Sequence, residues 1–141
     1  MEKYYVRNPN TGNIIDKYEL IIDDGNISII SYKRLKPYSK TFTVCTDQRG
    51  YKYLTINLDR KNFVLSNVIY STVNNRVIGK DNIIHHKDLN PMNNLPDNLV
   101  ELTVEEHWMV HAMIHLKYKH KDSFYKIKDL VDYVEINNVL N

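Results

Sequence analysis

The chain has 141 residues, of which 43% are hydrophobic and 26% charged, with a formal net charge of +2. That is enough apolar material to bury a core, which excludes a disordered tail. No apolar run approaches the roughly 18 residues needed to cross a bilayer, so no membrane partner is expected. Cys45 is the only cysteine, which excludes an internal disulfide and a cysteine-rich zinc site. It reads as a small buried hydrophobe in a strand. Any metal must therefore be held by histidine, asparagine or carboxylate.

The opening run, Met1-Glu2-Lys3-Tyr4-Tyr5, has no apolar stretch of secretory type, and a soluble cytoplasmic protein is expected. Tyr18–Asp23 is an apolar run ending in the turn chemistry of Asp23-Asp24-Gly25. Asn26–Tyr32 follows, rich in isoleucine. Thr41–Thr46 and Tyr51–Leu58 alternate in character on either side of the Asp47–Gly50 turn. These segments predict an antiparallel meander of three or four strands.

Ser66–Val73 is compatible with a short helix capped by Ser66 and with a strand. Lys80–His86 reads as a short strand entering a polar loop dense in Asn and Pro, and Asn98–Leu102 as a second strand. Thr103-Val104-Glu105-Glu106 is a capping box that starts a helix running from about Val104 to Lys119. Ser123–Val134 places Phe124, Ile127, Leu130, Val131 and Val134 at helical spacing, as in a helix docked on the core. The fold class expected is α+β. Residues 1–62 form an antiparallel sheet region, residues 63–120 a second region, and residues 121–141 a C-terminal helical segment.

Charge is unevenly spread. Residues 32–61 hold Lys33, Arg34, Lys36, Lys40, Arg49, Lys52, Arg60 and Lys61 against Asp47 and Asp59, a local excess of +6. Residues 85–111 hold Lys87 against five carboxylates, a local −4, and they are rich in histidine. A basic half beside an acidic, histidine-rich half suggests a polyanion-binding surface joined to a cation site. On a strand, His85 and His86 point to opposite faces. One can face a helix that supplies further ligands, the other a groove where substrate lies. His107, His111 and His115 share one face of the predicted helix.

The run Ile84-His85-His86-Lys87-Asp88-Leu89-Asn90, with Asn93-Asn94, Asn98-Leu99 and Thr103 to Glu106-His107, resembles the HNH nucleases. The likeness is greatest to their phage and intron-encoded homing endonucleases. It extends more weakly upstream, through Tyr18–Gly25, Ser31 and Gly50-Tyr51. The resemblance implies a ββα-metal motif over residues 80–120 and a cytoplasmic location, inside the host cell for a phage-encoded enzyme. It assigns the motif residues to His86, Asn98 and His107. His85 matches a metal ligand, His111 a further ligand found in one branch, and Asn93 and Asn94 a pair that holds the loop in shape.

The chemistry of phosphodiester hydrolysis suits these residue types. A neutral imidazole, with an ordinary pKa of about 6.5, can accept a proton from water. His86 is assigned that role, with the Asn98 amide oxygen expected to accept from its other ring N–H and aim it. His85 and His107 are expected to hold one divalent ion acting as a Lewis acid. Imidazole ligation favours Zn²⁺ or Ni²⁺, while Mg²⁺ and Mn²⁺ remain open. Double-stranded DNA is the expected partner. The cations of residues 32–61, interleaved with Tyr32, Tyr38, Tyr51 and Tyr53, are expected to contact phosphates from the sheet. The oligomeric state is left open. Two alternatives stand beside this: a catalytically inactive DNA-binding or zinc module of the same fold, and a toxin or defence nuclease.

Overall fold

The structure, a computed structural model, describes residues 1–48 and 50–118, excepting the side chains of 111 and 113–118. The chain forms nine strands in three antiparallel sheets among the described residues, with two α-helices. The helix expected over 123–134 lies outside the described residues.

The first sheet comprises β1 (Glu2–Arg7), β2 (Ile14–Asp23), β3 (Asn26–Ser31) and β4 (Tyr38–Ser39), in that spatial order. Strands β2 and β3 are joined by Asp24 and Gly25, both at positive φ (48° and 77°), the backbone of a two-residue hairpin turn. Leu20 and Ile29 lie opposite each other in register and are fully buried. β1 was not expected. Its Tyr4 and Val6 turn inward while Lys3 and Tyr5 face out, a period-2 pattern short enough to be lost among charged residues.

The second sheet comprises β5 (Thr43–Thr46), β6 (Lys52–Leu58) and β7 (Lys61–Val64). Ile56 and Leu58 enter the core from one face of β6. The β6–β7 turn is Asp59-Arg60, again with both residues at positive φ (50° and 68°). It lacks the glycine that advertises such a turn, and β7 was missed for that reason. Cys45 is half-buried rather than buried, its thiol 3.5 Å from the Thr55 hydroxyl. The single basic sheet expected over residues 32–61 is thus two: that stretch crosses from the edge of the first sheet into the second.

Helix α1 (Leu65–Asn74) resolves the ambiguity of 66–73 in favour of helix. Its N-cap is Val64, with no side-chain cap, and Ser66 is buried within the first turn. The capping role expected of Ser66 is therefore not taken. Packing holds this helix instead: it lies against β1, β6 and β7 and against the last two strands. Leu65, Val68 and Ile69 are all but fully buried. At about 1.5–3 kcal/mol per buried aliphatic side chain, these three outweigh a missing cap of about 1 kcal/mol.

Strands β8 (Ile83–His86) and β9 (Leu99–Leu102) pair as a two-stranded ribbon, with His86 opposite Leu99 and His85 opposite Val100. Helix α2 (Val104–Tyr118) follows directly. The Thr103–Glu106 capping box forms: the Glu106 N–H donates to the Thr103 hydroxyl at 3.2 Å, and the Thr103 N–H to the Glu106 carboxylate at 2.9 Å. Val110 is fully buried, and α2 packs on both β8 and β9.

Candidate functional site

The site is built around the end of β8. Ile84 joins the core, so His86, on the same face of the strand, emerges beside it at the groove wall. His85 takes the other face, is 5% exposed, and meets α2. Its ring centroid lies 6.0 Å from that of His107, with the rings at 68°. The alternation of a strand thus sends adjacent imidazoles into two environments.

His86 Nε2 lies 2.8 Å from Asn94 Oδ1. The Asn94 amide nitrogen donates to the Pro91 carbonyl at 3.3 Å, so its oxygen must be the end facing His86. An amide oxygen only accepts. His86 therefore carries a proton on Nε2, and its Nδ1 is the basic nitrogen in the neutral ring. Asn94 is 4% exposed, which keeps water from competing for this bond.

This corrects the role expected of Asn98. Its side chain turns into the loop and not toward His86. The Asn98 oxygen accepts from the Asp88 N–H at 3.0 Å, and its amide nitrogen donates to the Asp88 carboxylate at 2.9 Å and the Asn93 carbonyl at 2.8 Å. The physical reason is the Pro96–Asn98 turn of 3-10 helix, which rotates the residue before β9 begins. The Asn98 backbone stays with β8, its carbonyl accepting from Lys87 N–H at 2.8 Å.

Asp88 is the hub of this loop. Its carboxylate accepts from the Asn90 N–H and the Asn93 amide, both at 2.8 Å, and from Asn98. Burial pushes the carboxyl up. Those three hydrogen bonds and the neighbouring His86 outweigh burial and hold it below the ordinary carboxylate value. Asn93 also accepts from Leu95 N–H at 3.3 Å, so Asn93 and Asn94 both shape the loop, Asn94 while meeting His86. The loop-shaping part of Asn94 was expected, while its contact with His86 and the part of Asp88 were not. The only signal was the density of Asx residues, which mimic backbone turns.

Two cavities meet at His86. One of about 470 Å³ lies between the β5–β6 hairpin and β8, with Tyr51, Lys52, His86 and Asn94 in its wall. The other, about 230 Å³, shares Tyr51, Lys52 and His86 and reaches His85 and His107. Together they make one groove along both histidine faces.

His85 and His107 can share a cation. Metal–nitrogen distances of about 2.0–2.1 Å at a tetrahedral angle put ring centroids roughly 5 Å apart, within about 1 Å of what is seen. Among the described residues no group of three His, Cys, Asp or Glu side chains gathers at one point. The side chains of His111 and His115 lie outside those described.

Lys52 alone of the described basic residues of 32–61 lines this groove. Lys33 is held by Asp59 at 2.9 Å, and its ammonium keeps the Asp59 carboxyl below its usual value. Arg34 lies over the Tyr38 ring at 4.7 Å. Lys36 is exposed and Lys40 half-buried beside β4, while Arg60 and Lys61 are exposed at the β6–β7 turn. Arg49 lies outside the described residues. The cations therefore form separate groups on two sheets. No helix among the described residues is long and apolar enough to cross a membrane.

Comparison of the chain with family models, with curated proteins and with solved structures finds no match.

Proposed function

We propose that the chain is a metal-dependent endonuclease of ββα-metal architecture that hydrolyses phosphodiester bonds in double-stranded DNA. One observation carries this reading: the adjacent histidines at the end of β8 serve opposite faces. His86 enters an open groove with its Nε2 tied to a buried amide, and His85 meets the helical His107. A structural histidine has no need of a groove, and a solvated one has no need of a buried partner. The β8–β9 ribbon leading straight into capped α2 supports the ββα assignment. The choice of DNA leans on the resemblance to HNH nucleases and on the local excess of cations.

In this mechanism His86 Nδ1 accepts a proton from water as the water oxygen attacks phosphorus. The bond from phosphorus to the 3′-oxygen breaks, and that oxygen leaves. Asn94 holds the ring by its Nε2–H and stabilises the imidazolium that forms. Lys52 binds a phosphate beside the reacting one. A divalent ion on His85 and His107, with His111 as a candidate third ligand, would supply Lewis-acid stabilisation of the non-bridging and leaving oxygens.

Incubation of supercoiled plasmid with Mg²⁺, Mn²⁺, Ni²⁺, Zn²⁺ or chelator tests this. Ion-dependent conversion to open-circle or linear DNA is expected, reduced at least about 100-fold by His86→Ala. No conversion with any ion, or undiminished conversion by His86→Ala, would sink the enzymatic reading.

A further inference from the structure

Tyr32, Tyr38, Tyr51 and Tyr53 interleave with the cations of residues 32–61, and all but Tyr51 are engaged within the chain. The Tyr32 hydroxyl donates to the Glu19 carboxylate at 3.2 Å. The Tyr38 ring lies under the Arg34 guanidinium at 4.7 Å. Tyr53 is half-buried opposite Cys45 in the β5–β6 pair. Tyr51 differs from all of these. It is 67% exposed, and among the described residues its hydroxyl has no hydrogen-bond partner. It also stands in the wall of both cavities that meet at His86, beside Lys52.

The backbone that carries this exposed ring is fixed. The Tyr51 N–H donates to the Asp47 carboxylate at 3.0 Å, and the Tyr51 carbonyl accepts from the Asp47 N–H at 2.9 Å. The Gly50 N–H donates to the Asp47 carbonyl at 3.1 Å, so one aspartate closes the whole β5–β6 turn. A large ring on a pinned backbone has only its side-chain torsions left to order, so it binds at low entropic cost. In duplex DNA each base face is covered by its stacked neighbours. A side chain that leaves the helix intact therefore meets phosphates, base edges and sugars. An internal deoxyribose has no free hydroxyl and presents C–H groups, an apolar surface suited to an aromatic face. The ammonium of Lys52, next in the chain, suits the phosphate attached to that sugar.

We propose that Tyr51 is a DNA-positioning residue, its ring packing on a deoxyribose beside the phosphate held at His86. This rests on the nuclease reading above for its choice of DNA as ligand. The contact is apolar and Lys52 supplies the ionic one, so the two neighbours contribute by different physics. Displacing water from a sugar and a ring face strengthens binding without releasing a counterion, and is therefore indifferent to salt. Neutralising a phosphate releases counterions, and is steeply salt-dependent.

The test is binding of the full chain to a fluorescent duplex, read by anisotropy over a range of salt, in chelator so that no strand is cut. Tyr51→Ala should weaken binding about ten-fold at every salt concentration, displacing the plot of log affinity against log salt without changing its slope. Lys52→Ala should instead lower the slope by about one unit. Tyr51→Phe keeps the ring and should bind like wild type, and all three variants should melt like wild type. Undiminished affinity in Tyr51→Ala, or Tyr51→Phe as weak as Tyr51→Ala, overturns the sugar contact and leaves the nuclease reading intact. So does a loss seen on single-stranded DNA and absent on the duplex, which marks stacking on a base. Binding as expected by a chain that nicks plasmid with no ion keeps the Tyr51 contact and overturns the nuclease reading. No binding by wild type at any salt overturns both.

Discussion

Replacing Asn98 and replacing Asn94 should separate holding the loop from aiming the His86 ring. Asn98 makes three half-buried hydrogen bonds, one of them to the Asp88 carboxylate. At about 0.5–1.5 kcal/mol for each neutral bond and 1.5–3 for the charged one, discounted for partial exposure, Asn98→Ala should cost about 2–4 kcal/mol. For a chain of this size that lowers the Tm by roughly 6–15 °C. Asn98→Asp should cost more at pH 7, since it brings a second carboxylate to the Asp88 oxygen now 2.9 Å from the amide nitrogen. That excess should shrink as the solution is acidified and the pair takes up a shared proton. Asn94→Ala loses a bond to a neutral ring and one weak loop bond, costing about 1–2 kcal/mol. It should reduce plasmid nicking about 10–100-fold by releasing the His86 ring. Thermal melts at pH 7 and 4.5 and nicking rates on the same variants provide the readouts. If Asn98→Ala melts like wild type yet abolishes nicking, or Asn94→Ala is the more destabilising, the division of labour between the two amides is wrong.

Three further outcomes are expected. Arg60 sits at φ 68° in the β6–β7 turn, where a side chain is strained, so Arg60→Gly should raise stability by about 0.5–1 kcal/mol in denaturant melts. A fall would mean that Arg60 makes a contact outweighing its backbone. The Asp88 carboxyl is held below its ordinary value in the folded chain, so its contribution is present above the unfolded value of about 3.9. It is lost as pH falls through the lower folded value, and Asp88→Asn should flatten that limb of an acid titration. Finally, Lys36→Glu with Lys52→Glu should weaken duplex DNA binding and reduce its salt dependence by about two units of slope. Lys33 is left out because its loss would also break the Asp59 pair. Unchanged affinity would remove both lysines from the DNA contact surface.

Local chemistry made several elements legible from residues alone. Asp24-Gly25 specified its hairpin, because few other pairs tolerate two positive φ angles. The capping box started α2 where Thr103 and Glu106 require, since both partners lie within one turn. The opposite facing of His85 and His86 followed from the strand period alone. Where the signal was non-local it failed. The Asp59-Arg60 turn lacks glycine and forms because the flanking strands pack, and α1 stands uncapped because Leu65, Val68 and Ile69 are buried between sheets.

The site divides in the same way. The opposite facing of the two histidines at the end of β8 and the start of α2 were legible in the residues, because strand alternation and helix capping act over a few residues. Packing settled which amide meets which partner. Asn94 meets His86 and Asn98 meets Asp88, although Asn98 is the nearer of the two in the β8–β9 ladder. That exchange depends on how a twelve-residue loop folds back on itself, from 87 to 98. Six Asx side chains there compete for the same backbone groups, and only their packed arrangement selects among partners of nearly equal hydrogen-bonding power.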